Sequence, residues 1–147
     1  MPSKASHIES KWLPGPVGEM LRSSGIATTT TVPLAGKLVT TTTHLGLDLS
    51  TGALITSSIE DEFTAIFACL DAALHHAGIE GGVGDAHKIT AYLVKPTDEP
   101  TMLKIFRERY SGHSPAWATV IVPAIVVPRM RAEVQAEAML LGGGVEE

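Results

Sequence analysis

The sequence predicts an α+β domain in which two helices cover one face of a mixed β-sheet. Three observations carry that prediction. Residues 59–77 and 102–110 repeat apolar side chains at helical spacing, whereas 131–138 alternate strictly between apolar and polar. The strand-like and helix-like stretches follow the order β-β-α-β-α-β-β, so both helices can bury their stripes on one sheet. The 147 residues suit one domain, with enough apolar residues for a core.

Residues 1–24 read as an irregular N-terminal segment, because Pro14, Gly15, Pro16 and Gly18 interrupt regular structure. Two Thr-rich runs then flank Pro33-Leu34-Ala35-Gly36. Their β-branched residues favour strands, and Pro with Gly marks a turn, which predicts a hairpin. A symmetric hairpin sets Thr29 and Thr30 near Thr40 and Val39. Asp48, Ser50, Thr51 and Gly52 supply a second turn.

Ser57 or Ser58 opens the first helix, with Glu60 or Asp61 as capping-box partner. Ile59, Phe63, Ile66, Phe67, Leu70, Leu74 and Ala77 form its buried stripe, and Gly78 stops it. Cys69 lies beside that stripe and reads as a small core residue. The Gly-rich stretch 78–85 lacks both the dinucleotide and the P-loop pattern, so it is a connection. Residues 86–94 form a strand with Ile89, Ala91 and Leu93 on one face and Lys88, Thr90 and Tyr92 on the other. Thr97 or Asp98 caps a helix that tolerates Pro100 in its first turn and ends near Ser111-Gly112.

The run from Ser114 to Leu140 contains two strands joined by a Pro-bounded turn. In the second, Ala132, Val134, Ala136 and Ala138 share one face, and Arg131, Glu133, Gln135 and Glu137 the other. Glu137, beside apolar Met139 and Leu140, is the carboxylate singled out here. The half-polar sheet face left uncovered by helices predicts a closed homo-oligomer.

Composition narrows the function. A formal charge of −5 without a Lys/Arg cluster argues against a nucleic-acid surface. No apolar run matches a membrane span, and no secretory leader pattern opens the sequence. A single cysteine excludes an internal disulfide, so the expected compartment is the cytoplasm. His75, His76 and His87 lack metal-ligand spacing, and no cofactor fingerprint occurs; neither metal nor cofactor is expected.

Four pieces together resemble the RidA (YjgF-type) family of reactive-intermediate deaminases. They are G-K-L-V-T-T-T-T-H with D-L-S-T-G-A-L, then A-A-L-H-H-A-G, then K-I-T-A-Y-L-V, and finally F-R-E-R-Y-S-G-H-S-P-A-W-A-T-V with A-E-V-Q-A-E-A. The resemblance spans residues 36–139 within a domain drawn at 25–141, followed by a flexible tail at 142–147. It implies a chorismate-mutase-like subunit and a homotrimer with inward-facing sheets and clefts between subunits.

The resemblance also implies roles. Typical relatives carry, in the P-A-x segment, an arginine for the carboxylate of an amino-acid-derived imine; the matching residue is Trp117. The glutamate associated with the active-site water matches Glu137. A first-strand tyrosine falls near Thr29, and a turn glycine near Thr43, beside His44. Tryptophan offers one N–H and an apolar wall where arginine offers a charged fork. The expected substrate is therefore neutral or aromatic, unless Arg129 or Arg131 restores a cation.

The expected catalytic residues are Glu137, holding water or a proton, and His44, as donor or shuttle. Trp117, Thr43, Tyr92, Thr119 and Arg129 are expected to bind substrate. The expected activity is hydrolysis, deamination or tautomerisation at an imine, enamine or carbonyl of a small molecule. The alternative is a non-catalytic, metabolite-binding or chaperone-like trimer; ribonuclease action ranks last on charge.

Overall fold

The computed structural model describes residues 7–141. The first six residues of the irregular segment and the tail at 142–147 lie outside the described residues. Strand β1 (Glu9–Lys11) leads into helix α1 (Pro16–Ser23), then β2 (Thr29–Thr31) and β3 (Lys37–Thr40). Helix α2 (Ile59–His76), β4 (Ala86–Leu93), α3 (Glu99–Arg109), β5 (Ala116–Ile121) and β6 (Ala132–Leu140) follow.

The main sheet has the order β3-β6-β4-β5. β6 runs antiparallel to β3 and β4, while β5 runs parallel to β4. A parallel pair needs a crossover, and α3 supplies it. The β5–β6 connection likewise passes over the end of β4, so these sequence neighbours are not partners in the sheet.

Helix α2 forms where its local signals point. The Ser58 hydroxyl accepts the Asp61 N–H at 3.0 Å, which satisfies one orphan donor of the first turn. Phe63, Ile66, Phe67, Leu70 and Leu74 are fully buried on its inner face. Ala132, Val134, Ala136 and Ala138 of β6 lie in the same core, joined by Met102 and Phe106 from α3. Small residues on β6 leave room for the large ones on α2, the complementarity that dense packing requires. Each large apolar side chain so buried contributes about 1.5–3 kcal/mol. Cys69 is also buried, its thiol donating to the Leu47 carbonyl at 3.4 Å.

Two sequence expectations fail here. The Thr-rich runs do not form a hairpin with each other: β2 pairs with β1, and β3 pairs with β6. Strand propensity favours extended backbone but does not name a partner. The segment before Ser24 is not wholly irregular, because it holds β1 and α1. Pro16, read as a breaker, occupies the first turn of α1, where its missing N–H is not required.

Candidate functional site

The helices leave one sheet face open, and register decides which side chains share it. Ile89 pairs with Ala136, Ala91 with Val134 and Leu93 with Ala132, all buried toward the helices. The alternate rows therefore project outward: Lys88 with Glu137, Thr90 with Gln135, and Tyr92 with Glu133. Directly opposed antiparallel residues have Cβ atoms about 4.5–5.5 Å apart, so Tyr92 and Glu133 share one spot on the surface.

Residues 41–44 complete that spot. The Thr41 N–H donates to the Ala136 carbonyl, and the Thr41 hydroxyl accepts the Ala136 N–H at 3.0 Å. Gln135 Nε2 donates to the Thr41 carbonyl at 2.8 Å. His44 and Val134 exchange backbone hydrogen bonds at 2.8 and 3.1 Å. Their side chains therefore share a face, the helix side, and Thr43 turns to the open side. The Val122 N–H donates to the Leu93 carbonyl at 2.9 Å, which brings the following loop over Tyr92. The result is a cavity of about 250 Å³ lined by Thr43, Tyr92 and Glu133, with Val122, Ala124, Ile125 and Val126 as its apolar wall.

Of the seven sequence-predicted site residues, Thr43 and Tyr92 meet in this cavity. Glu137 does not. It lies four residues along β6 from Glu133, about 13 Å at roughly 3.3 Å per residue. There its Oε1 approaches Nε2 of His87 at 3.9 Å. Burial lowers the His87 pKa, the Glu137 charge opposes that shift, and His7 and Lys88 reinforce it. His44 sits on the opposite face, its pKa lowered by desolvation. Within one subunit, Glu137 and His44, the two residues expected to be catalytic, therefore lie on opposite faces of the sheet.

Trp117 also departs from expectation. It pairs with Ile89, so its ring turns toward the helices rather than the open face. The ring meets Phe106 edge-on, with centroids 5.1 Å apart, and its N–H donates to the Thr119 hydroxyl at 2.8 Å. Trp117 and Thr119 therefore occupy each other on the core side. Arg129 lines a neighbouring cavity that shares Ala124 and Ile125 with the first. Arg131 is engaged elsewhere: its Nη1 donates to Oε1 of fully buried Glu62 at 3.0 Å, and its backbone N–H to Oε2 at 2.8 Å.

Sequence reasoning missed Glu133. It shares a face with Glu137 by simple alternation, and only its pairing with Tyr92 distinguishes it. Among the described residues, no group of three or more His, Cys, Asp or Glu is placed to hold a metal ion. No helix there is long and apolar enough to cross a membrane. A carboxylate, a phenol and a hydroxyl around a hollow with one apolar wall can hold a polar small molecule together with a water.

A family model described as Endoribonuclease L-PSP matches residues 24–140. The chain belongs to the endoribonuclease L-PSP family. Among solved structures, the fold of this chain is similar to those of Rid proteins. A Rid-family protein of unknown function, YyfB from Yersinia pestis, superposes with a TM-score of 0.78 at 18% identity, over 91% of this chain and 99% of that one. RidA from an Antarctic Psychrobacter gives 0.65 at 22% identity, over 92% and 99%. TdcF of E. coli, solved with bound serine, gives 0.64 at 19% identity, over 95% and 96%. At these identities the likeness to the solved structures carries the fold alone. Among curated proteins none matches the chain.

Proposed function

We propose that this L-PSP family member is an enzyme that hydrolyses a C=N bond of a small molecule in the Thr43–Tyr92–Glu133 cavity. The observation that carries the reading is the register pair Tyr92–Glu133 on the open face. Glu133 accepts a proton from water as the water oxygen attacks the imine carbon. Tyr92 donates a hydrogen bond to the imine nitrogen as negative charge grows there. Glu133 passes that proton to the nitrogen, giving a carbinolamine. It then takes the carbinolamine hydroxyl proton and delivers it to the nitrogen, so that the C–N bond breaks, the amine leaves and a carbonyl remains. Thr43 orients the polar end, and Val122 to Val126 shield the reacting atoms from bulk water. TdcF, a structural neighbour solved with serine, supports a small-molecule occupant. Tautomerisation at a carbonyl uses the same acid and base, and is the companion activity to assay.

The assembly proposed is a homotrimer with its sheets facing inward. Leu38 and Val120 on the open face are 56% and 40% exposed in the single chain, and partner copies would cover them.

Small imines generated in situ from amino acids, amines and aldehydes test the reading. Glu133→Gln is expected to lower kcat about 10²–10⁴-fold, and Tyr92→Phe about 10²-fold. Glu137→Gln should leave kcat within a small factor. Full activity in Glu133→Gln with loss in Glu137→Gln would return the catalytic role to Glu137.

A second reading, a non-catalytic metabolite-binding trimer, draws on Trp117, which stands at the arginine position and packs on Phe106. Binding without turnover, unaffected by Glu133→Gln, would favour it. Ribonuclease action finds least support, given the −5 charge.

A further inference from the structure

We infer that the β5–β6 crossover builds a second pocket, for a small organic anion with an apolar body, and that Arg129 is its anchor. The turn at Val127–Met130 closes through a hydrogen bond from the Met130 N–H to the Val127 carbonyl at 3.3 Å. Pro128 takes its second position and Arg129 its third. Arg129 has φ 74°, the only non-glycine residue with positive φ among the described residues. The third position of such a turn ordinarily goes to glycine or asparagine, because a Cβ is strained there. A long cationic side chain kept at that position, against the local preference, points to a use for the side chain.

The surroundings supply the use. Arg129 lines a cavity of about 300 Å³ whose apolar lining includes Val94, Ile125, Val127 and Met130. Lys95 and Arg131 also line it. Arg131 is neutralised by Glu62 at 3.0 Å. Lys95 and Arg129 have no ion-pair partner among the described residues. Two uncommitted cations thus border an apolar hollow on a chain of net charge −5. A guanidinium presents parallel N–H donors that match a carboxylate, and Lys95 adds a second positive charge. The apolar lining favours a ligand with a short hydrocarbon body over a bare inorganic anion. This pocket stands apart from the chemistry proposed for Glu133, although Ala124 and Ile125 line both cavities.

Calorimetric titration of the full chain with hexanoate, hexanamide and inorganic phosphate tests the inference. Hexanoate should bind at least about 10-fold more tightly than either of the others, the scale of one charge-assisted contact. Arg129→Gly preserves and relaxes the turn, so it should raise Tm while weakening hexanoate at least about 10-fold. Arg129→Lys should keep part of the affinity, and Glu133→Gln should bind hexanoate as the parent does. Amide resonances of Val94 and Met130 should shift on titration more than that of Tyr92. Failure of the parent to bind hexanoate, equal binding of hexanamide, or undiminished binding by Arg129→Gly would each overturn the pocket. None of these outcomes bears on imine turnover.

Discussion

Replacing Arg131 with methionine isolates the ion pair that fastens the crossover loop to the helical layer. The Glu62 side chain is 0% exposed and Arg131 is 40% exposed. In the native chain the carboxylate receives two charge-assisted hydrogen bonds, at 3.0 Å from the guanidinium and 2.8 Å from the Arg131 N–H. Arg131→Met removes the first and leaves a buried carboxylate with one backbone donor. Breaking a buried pair costs about 3–5 kcal/mol. The exposed rim on the arginine side lets water reach the vacated position, which reduces the expected loss to about 2–3 kcal/mol. For a chain of this length about 2–4 °C of Tm follows each kcal/mol, so Tm should fall by roughly 5–10 °C. The partner variant Glu62→Gln/Arg131→Met removes the stranded charge, and its amide oxygen still accepts the backbone N–H. It should recover most of the loss. Urea unfolding of the parent, both single variants and the double variant, at one protomer concentration, closes the cycle. A cost below about 0.5 kcal/mol for Arg131→Met, or a double variant less stable than the single, would refute the reasoning.

Other consequences can be measured alongside it. Trp117→Arg should destabilise the chain by about 3 kcal/mol, the scale of removing a large aromatic from a core, without conferring 2-imino acid hydrolysis. Gained hydrolysis at unchanged Tm would place the side chain on the open face instead. Gly46→Ala should cost about 1–3 kcal/mol, because a Cβ there would lie 2.5 Å from the Glu62 carbonyl oxygen; an unchanged Tm would show that the 44–47 segment yields freely. His44, His87 and His113 all have pKa values lowered from 6.5, with burial the largest cause in each. The fold therefore favours the neutral rings: their contribution is complete above 6.5 and is lost as pH falls from there through the depressed folded values. Unfolding free energy should decline between about pH 7.5 and pH 5, and His113→Gln, which removes the ring bonded to the Ala86 carbonyl at 2.6 Å, should flatten that decline.

The parts of the fold written in short-range periodicity were legible, and the parts that depend on pairing were not. The stripe from Phe63 to Leu74 and the Ser58 cap are decided within a few turns of chain, so α2 appears at its expected place. The alternation of β6 assigned both of its faces. The Thr-rich runs looked like strands, but nothing local to them chose Glu9–Lys11 over each other. Glu133 and Glu137 were indistinguishable by alternation, since only the rung opposite Tyr92 separates them. The six residues of β5 read A-W-A-T-V-I, with small or apolar side chains on both sides. That pattern leaves the direction of Trp117 open until Ile89 is known to lie beside it. Arg129 was visible as a cation, whereas its left-handed backbone in a Pro-led turn required the folded chain.

The span from Val122 to Arg131 lines both hollows and is tied to the helical layer through Arg131, which bonds Glu62 of α2. Replacing residues 122–130 would reshape the lining of both hollows at a stroke and leave the paired register of β4 and β6 in place. Selection acting on such a hinge of specificity can diversify chemistry quickly, provided residue 131 keeps its grip on Glu62.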